Sequence, residues 1–265
     1  MENSENKSLI STGSSNLAKT EKLLSITQKI LSEIKPQYES VRIGNQEWMT
    51  RNLDVDRFRN GDLIPHVELY EEWEKVGENG QPAWCYYKNS PENGKKYGKL
   101  YNWFAVNDPR GLAPEGWHVP IKDEWTCLVE YLGEDNAGHR LKSVDGWENW
   151  KDENKVVQNG NGDNSTGFNS LPGGFRYNNG RFDGVECGAF FLTSSQYDNR
   201  AIYRFLYDES NKVETYNAWL YDDSVYYKSV GASVRCLKDS IDSKWVQAVK
   251  NGTIKPYIPP GLKLK

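Results

Sequence analysis

Four cysteines (Cys85, Cys127, Cys187, Cys236) and three histidines are the residues of this 265-residue chain best suited to nucleophilic or metal chemistry. A structural zinc site needs ligands in close pairs, such as two cysteines two residues apart followed by two spaced histidines. Here the cysteines stand far apart and no histidine pair accompanies them. A reactive thiol needs cationic neighbours that stabilise the thiolate, and none of the four has a clear cluster of them in sequence. Neither a nucleophile elbow nor a phosphate-binding loop occurs. His118, between Trp117 and Val119, reads as a buried or half-buried histidine with its hydrogen bonds met rather than as a general base. The expectation is a protein without catalysis. A disulfide between Cys85 and Cys236 is conceivable in an oxidising compartment, but reduced, buried thiols are the preferred reading.

Two stretches could bind without reacting. In Asn159-Gly160-Asn161-Gly162-Asp163-Asn164-Ser165, oxygen side chains alternate with glycines, as a calcium loop requires, so Asn159, Asn161 and Asp163 are the candidate ligands. An EF-hand would place Glu at the twelfth position, where Ser170 stands, so a polar loop is the preferred reading and no cofactor is expected. The second stretch, Gln196–Gly231, holds seven of the sixteen tyrosines: Tyr197, Tyr203, Tyr207, Tyr216, Tyr221, Tyr226 and Tyr227. Among them lie Asp198, Asn199, Arg204, Asn217, Trp219, Asp222 and Asp223. Tyrosine gives a rigid amphipathic contact at low entropy cost, and short polar side chains add adaptable hydrogen bonds. Sugars suit the same mixture, with apolar faces on rings and hydroxyls on carboxylates and amides. These fourteen residues are the expected ligand-binding set. The competing reading is alternation of half-buried strands, which sends half the rings into the core.

The elements that would position them fall in four zones. Residues 1–16 are rich in Ser, Asn, Glu and Lys and read as disordered. Residues 17–40 hold an amphipathic helix, with Leu17, Leu23, Leu24, Ile30, Leu31 and Ile34 on one stripe and a stop at Pro36, followed by a linker. That helix either docks on its own domain or joins copies of the chain through residues 17–35. Residues 41–239 form the body, in which short aromatic strands alternate with Gly/Asn/Asp turns. Its one clear helix follows Pro120, with Ile121, Trp125, Leu128, Val129 and Leu132 on one face and Gly133 as the stop. A shorter helix is predicted around Asn136–Ser143. Gly173–Phe182 reads as a hairpin turning at Asn179-Gly180. Strands follow at Ala189–Ser194, Ile202–Tyr207, Lys212–Tyr216 and Ser233–Leu237. The fold class is α+β, mostly antiparallel. Residues 240–265 form a basic, proline-containing tail of net charge +4, which leaves −8 on the rest.

The whole chain carries −4 with a pI near 5.6, so no global basic field is present to hold nucleic acid. No run approaches the roughly 18 apolar residues of a membrane span. The opening residues lack the basic start and apolar core of a secretory leader, which favours the cytoplasm, a phage particle or another export route. Aromatic residues, at 13%, supply the core that modest aliphatic content does not.

A series of phrases in fixed order resembles the Fibrobacter succinogenes major paralogous domain family. They are Gly44–Leu53 (GNQEWMTRNL), Trp84–Tyr87 (WCYY), Tyr97–Trp103 (YGKLYNW), Gly111–Pro120 (GLAPEGWHVP) with the helix through Glu124-Trp125, Gly167–Arg176 (GFNSLPGGFR) and Ser233–Cys236 (SVRC). The resemblance implies a C-type-lectin-like fold related to that of the formylglycine-generating enzymes. Those enzymes use a closely spaced late cysteine pair, whereas Cys187 and Cys236 are 49 positions apart, so their chemistry is not expected here. The chain departs from the family at Ala189–Leu192, where a Trp-containing run is more usual. The resemblance supplies no ligand-binding residue. Within the phrases, Trp48, Trp103, Trp117 and Trp125 are expected in the core.

The function expected is recognition of a glycan or protein partner through the Tyr197–Tyr227 surface. Two alternatives are a receptor scaffold diversified by a retroelement and a structural subunit assembled through its N-terminal helix.

Overall fold

The longest helix among the described residues forms where apolar residues recur at helical spacing between a proline and a glycine. The computed structural model describes residues 38–197, 199–215 and 228–239; the amphipathic helix expected at 17–35 and the basic tail lie outside them. In chain order the strands are β1 (Ser40–Ile43), β2 (Gln46–Met49), β3 (Trp84–Cys85), β4 (Leu100–Tyr101), β5 (Trp117–His118), β6 (Trp150–Lys151), β7 (Val157–Gln158), β8 (Gly173–Arg176), β9 (Phe182–Val185), β10 (Gly188–Tyr197), β11 (Arg200–Tyr207) and β12 (Leu237–Lys238). The helices are α1 (Tyr70–Glu78), α2 (Pro91–Tyr97), α3 (Trp103–Val106), α4 (Lys122–Leu132) and α5 (Ala137–Leu141). The architecture is mixed α+β with mostly short antiparallel strands.

Helix α4 begins as its sequence indicates. Glu124 reaches back to accept the Ile121 N–H at 2.9 Å, and Gly133 ends the helix at φ 85°. Its buried face, Trp125, Leu128 and Leu132, enters a core with Trp48, Phe168 and Phe191. Trp48 and Trp125 sit with ring centroids 4.9 Å apart, and Phe168 meets both rings edge-on at 5.7 Å. Such pairs add about 0.5–1.5 kcal/mol beyond area burial. Trp103 and Trp117 are buried too, as expected.

Two four-stranded sheets frame this core. In one, β1 and β2 form a hairpin whose second strand pairs with β12, which pairs with β5. The other runs β11-β10-β8-β9, antiparallel except for the β10–β8 contact. The β8–β9 hairpin turns as predicted, but only Gly180 takes a positive φ (84°), while Asn179 does not. The strand predicted at Lys212–Tyr216 shortens to the Phe205–Glu214 bridge, and its Tyr216 end lies outside the described residues.

Three helices, α1 to α3, correct the expectation of one main and one short helix. Helix α2 reads as turn sequence, PENGKKY, yet the Ser90 hydroxyl accepts the Asn93 N–H and Pro91 fills the first turn. Helix α3 is likewise capped, with Asn102 accepting the Ala105 N–H at 3.0 Å.

Buried charge in the described body is cationic. Lys99, Lys142, Arg176, Arg204 and Arg235 are each at most 4% exposed, and no described carboxylate is comparably buried. Main-chain carbonyls supply much of the compensation. Arg176 donates to the carbonyls of Val67, Glu68, Leu69 and Gly180, and the Lys142 ammonium to those of Tyr207, Asp208 and Ser210. Arg176 and Lys142 thus each fasten several turn and loop carbonyls.

Candidate functional site

Strands β10 and β11 decide which residues of the tyrosine-rich stretch can meet a ligand. They pair with Phe191 opposite Arg204 and Leu192 opposite Tyr203, and the register shifts before Gln196. Tyr203 is 1% exposed and stacks on Phe205, which stacks on Tyr207. The expectation that Tyr203 stands outward is corrected. Arg204 also turns inward, toward α4, at 4% exposure. Helix α4 covers one face of this strand pair and aromatic rings fill the other, so alternation leaves no wet side. Tyr207 is half-buried. Tyr197, 72% exposed, and Asn199 do face solvent. Asp198, Tyr216, Asn217, Trp219, Tyr221, Asp222, Asp223, Tyr226 and Tyr227 lie outside the described residues.

Arg204 nevertheless lines a concavity of about 260 Å³. One wall is α4 with Thr126 and Glu130; the other is the segment carrying Lys212 and Glu214. Glu214 is held on β11 by reciprocal main-chain hydrogen bonds with Phe205 at 2.8 and 2.9 Å. The Arg204 guanidinium donates through Nη2 to the Lys122 carbonyl at 2.7 Å and to Thr126 Oγ1 at 2.8 Å. Its Nε–H is buried and has no hydrogen-bond partner. Burial pulls its pKa down to about 10, against the attraction of Asp123. At neutral pH it remains a cation with spare donor capacity. Carboxylates of Glu130, Glu134 and Glu214 offer acceptors around it. In sequence, residues 216–227 follow Thr215, which lies on this wall. Sequence reasoning picked Arg204 for exposure it does not have, and missed Thr126, Glu130 and Glu214. Their spacing carries no signal until α4 and β11 are set side by side.

His118 and two of the cysteines sit in buried surroundings of their own. His118 Nδ1 lies 2.7 Å from Asp239, and Nε2 3.0 Å from Glu124. Burial depresses its pKa, but hydrogen bonds to Asp239 and Glu124 outweigh that and push it up to about 9. A protonated imidazole with both N–H groups given to carboxylates is a tether between β5, α4 and the end of the body. None of the four cysteines forms a disulfide, and Cys85 and Cys236 are buried. Burial pushes the Cys85 thiol up to about 12, the opposite of activation.

The candidate calcium residues spend their oxygens on the chain itself. Asn159 Oδ1 accepts the Asn161 N–H, Asn161 Oδ1 accepts the Trp147 N–H, and Asp163 Oδ1 accepts the Ser165 N–H. A Cβ on Gly160 would sit 1.9 Å from the Glu148 carbonyl oxygen, and one on Gly162 2.2 Å from that of His139. The glycines thus let the loop press against neighbouring backbone. Among the described residues, no group of three or more His, Cys, Asp or Glu is placed to hold a metal. Nor is any described helix long and apolar enough to cross a membrane.

Fold and site together define a mixed α+β domain closed by pairing its first hairpin with its last strand, with a small polar groove beside β11. The chain belongs to the Fibrobacter succinogenes major domain family, whose model matches residues 41–238. No curated protein and no solved structure matches it.

Proposed function

We propose that the protein is a non-catalytic recognition module that holds a glycan or protein partner at the Arg204 groove and the adjoining 216–227 stretch. The observation that carries this reading is the half-used Arg204 guanidinium, rimmed by carboxylates and continuous in sequence with the densest run of Tyr, Asn and Asp in the chain. Buried polar groups of native proteins are nearly always paired, so a spare donor beside a concavity favours a ligand acceptor. The commitment of His118 and the buried thiols to structural contacts supports binding without chemistry. We further favour a C-type-lectin-like relationship for the fold. It is supported by the closure of the body through β2 and β12, together with family membership.

A glycan array combined with partner pull-down tests the reading. It compares wild type with Arg204→Lys and with a triple Tyr216→Ala, Tyr221→Ala, Tyr226→Ala variant. At least one captured ligand should fall at least tenfold in both variants while both remain folded. Survival of every captured ligand in both folded variants would refute the assignment.

A further inference from the structure

A second concavity, of about 550 Å³, lies between the first turns of α1, the β8–β9 turn and Lys88. Its floor is aromatic. Tyr70 is half exposed and meets Phe182 edge-on at 6.4 Å. Beneath them the buried Arg176 guanidinium lies 5.8 Å from the Tyr70 ring and 4.8 Å from the Phe182 ring. The same guanidinium binds the carbonyls of Val67, Glu68 and Leu69, which lead into Tyr70, and that of Gly180, which shapes the opposite turn. One cation thus fixes both walls. A Cβ on Gly180 would come within 2.6 Å of the Tyr70 Cα, so the two walls touch backbone to backbone. The groove is set before any ligand arrives, which removes part of the entropic cost of binding.

Its rim balances charge. Glu71 and Glu74 face Lys88 and Arg181, with the Asn179 amide beside them. Equal numbers of acids and bases select neither anion nor cation, but they offer acceptors and donors together around a ring platform. A hydroxyl-rich, uncharged ligand with an apolar face uses all of these groups. Lys88 is also held at φ 52°, a left-handed conformation that a non-glycine residue adopts only at a conformational cost. We infer that this groove is a binding site for a neutral saccharide, with a sugar ring stacked on Tyr70 and its hydroxyls shared among Glu71, Glu74, Lys88 and Arg181.

An array of neutral oligosaccharides (cello-, xylo-, manno- and N-acetylglucosamine series), with uronic-acid and sialylated sugars alongside, tests it on the full chain. Any sugar retained is then titrated by NMR. Wild type should bind at least one neutral series in preference to the charged sugars. Tyr70→Ala, which keeps the Cβ that Gly180 packs on, should weaken binding tenfold or more. Lys88→Gly should weaken it severalfold while holding or raising the melting temperature, because glycine relieves the left-handed strain. Arg204→Lys should leave it unchanged, which separates this site from the groove beside β11. Failure of every neutral sugar to bind wild type, preference for the anionic sugars, or undiminished binding by folded Tyr70→Ala would overturn the inference.

Discussion

Arg235 donates through both Nε and Nη2 to the Oδ1 of Asn52, at 3.0 and 2.7 Å, across 183 residues of chain. Its Nη1 adds the carbonyls of Met49 and Phe168. A single buried guanidinium thus ties the Gly44–Leu53, Gly167–Arg176 and Ser233–Cys236 phrases together.

Replacing Arg235 by Met would leave these acceptors buried without donors. An unmet buried acceptor costs about 1–3 kcal/mol. We therefore expect Arg235→Met to lose about 3 kcal/mol or more in urea denaturation, with Arg235→Lys between it and wild type. A loss below about 1 kcal/mol in Arg235→Met would show that the three phrases do not depend on this clamp.

His118 gives the folded protein a pH-dependent term of known sign. Its folded pKa, about 9, lies above the unfolded value near 6.5. The stabilisation is complete below pH 6.5 and drains away as pH rises through 9. At about 1.4 kcal/mol per pKa unit, the whole term is about 3 kcal/mol. Comparing wild type with His118→Gln at pH 6 and pH 9.5 isolates it. The gap between the two proteins should shrink at the higher pH; a constant gap means the carboxylate clamp does not govern His118.

Lys142 should slope the other way. Burial lowers its pKa to about 8, against the pull of Asp208, so the unfolded chain binds more protons between pH 8 and 10.5. Relative to Lys142→Met, wild type should therefore gain stability across that window. Chemical denaturation at pH 8 and 10 measures the sign.

Two glycines with positive φ separate strain from crowding. A Cβ on Gly174 (φ 66°) would lie 2.5 Å from the Asp183 carbonyl oxygen and 2.7 Å from the Val185 nitrogen, whereas one on Gly116 (φ 84°) meets nothing within 4 Å. Gly116→Ala should cost about 1–2 kcal/mol, the conformational penalty alone. Gly174→Ala should cost several kcal/mol more, or prevent folding. Equal melting temperatures for the two variants would contradict the β8–β9 geometry.

Thiol alkylation under native conditions should label the exposed Cys127 and spare Cys85 and Cys236 until denaturant is added. Mass mapping of the modified peptides gives the order. Rapid native labelling of Cys85 would mean that the core around Tyr87 and Leu100 opens readily.

What the sequence made legible was what periodicity and turn chemistry encode. Helix α4 announces itself through Trp125, Leu128 and Leu132 with Gly133 behind them, and the β8–β9 hairpin through its Asn-Gly pair. Helix α1 hid because only Trp73 and Gly77 of YEEWEKVGE are buried, too narrow a stripe to read as a helix face. Helix α2 hid because Gly94 looks like a breaker; in fact its missing Cβ lets the Tyr86 ring lie 2.4 Å from where that atom would be. The buried cations were illegible for a different reason. Nothing in the residue type tells Arg204, folded under α4, from an arginine on the surface, and the groove it lines joins residues about 80 positions apart. The tyrosines divided similarly: Tyr203 followed strand alternation into the core, while Tyr197, beyond the register shift, escaped it.

The pairing of Trp48 with Leu237 brings the first hairpin and the last described strand onto one sheet, with β2 between β1, where the body begins, and β12, where it leaves off. Such a domain can be spliced into a loop of another protein with little stretching of its host, since entry and exit lie on strands two positions apart in one sheet, about 10 Å across it. By the same token, joining residues 40 and 239 through a short linker and cutting the backbone at an exposed turn, such as Asp152–Lys155, should yield a permuted chain that still folds.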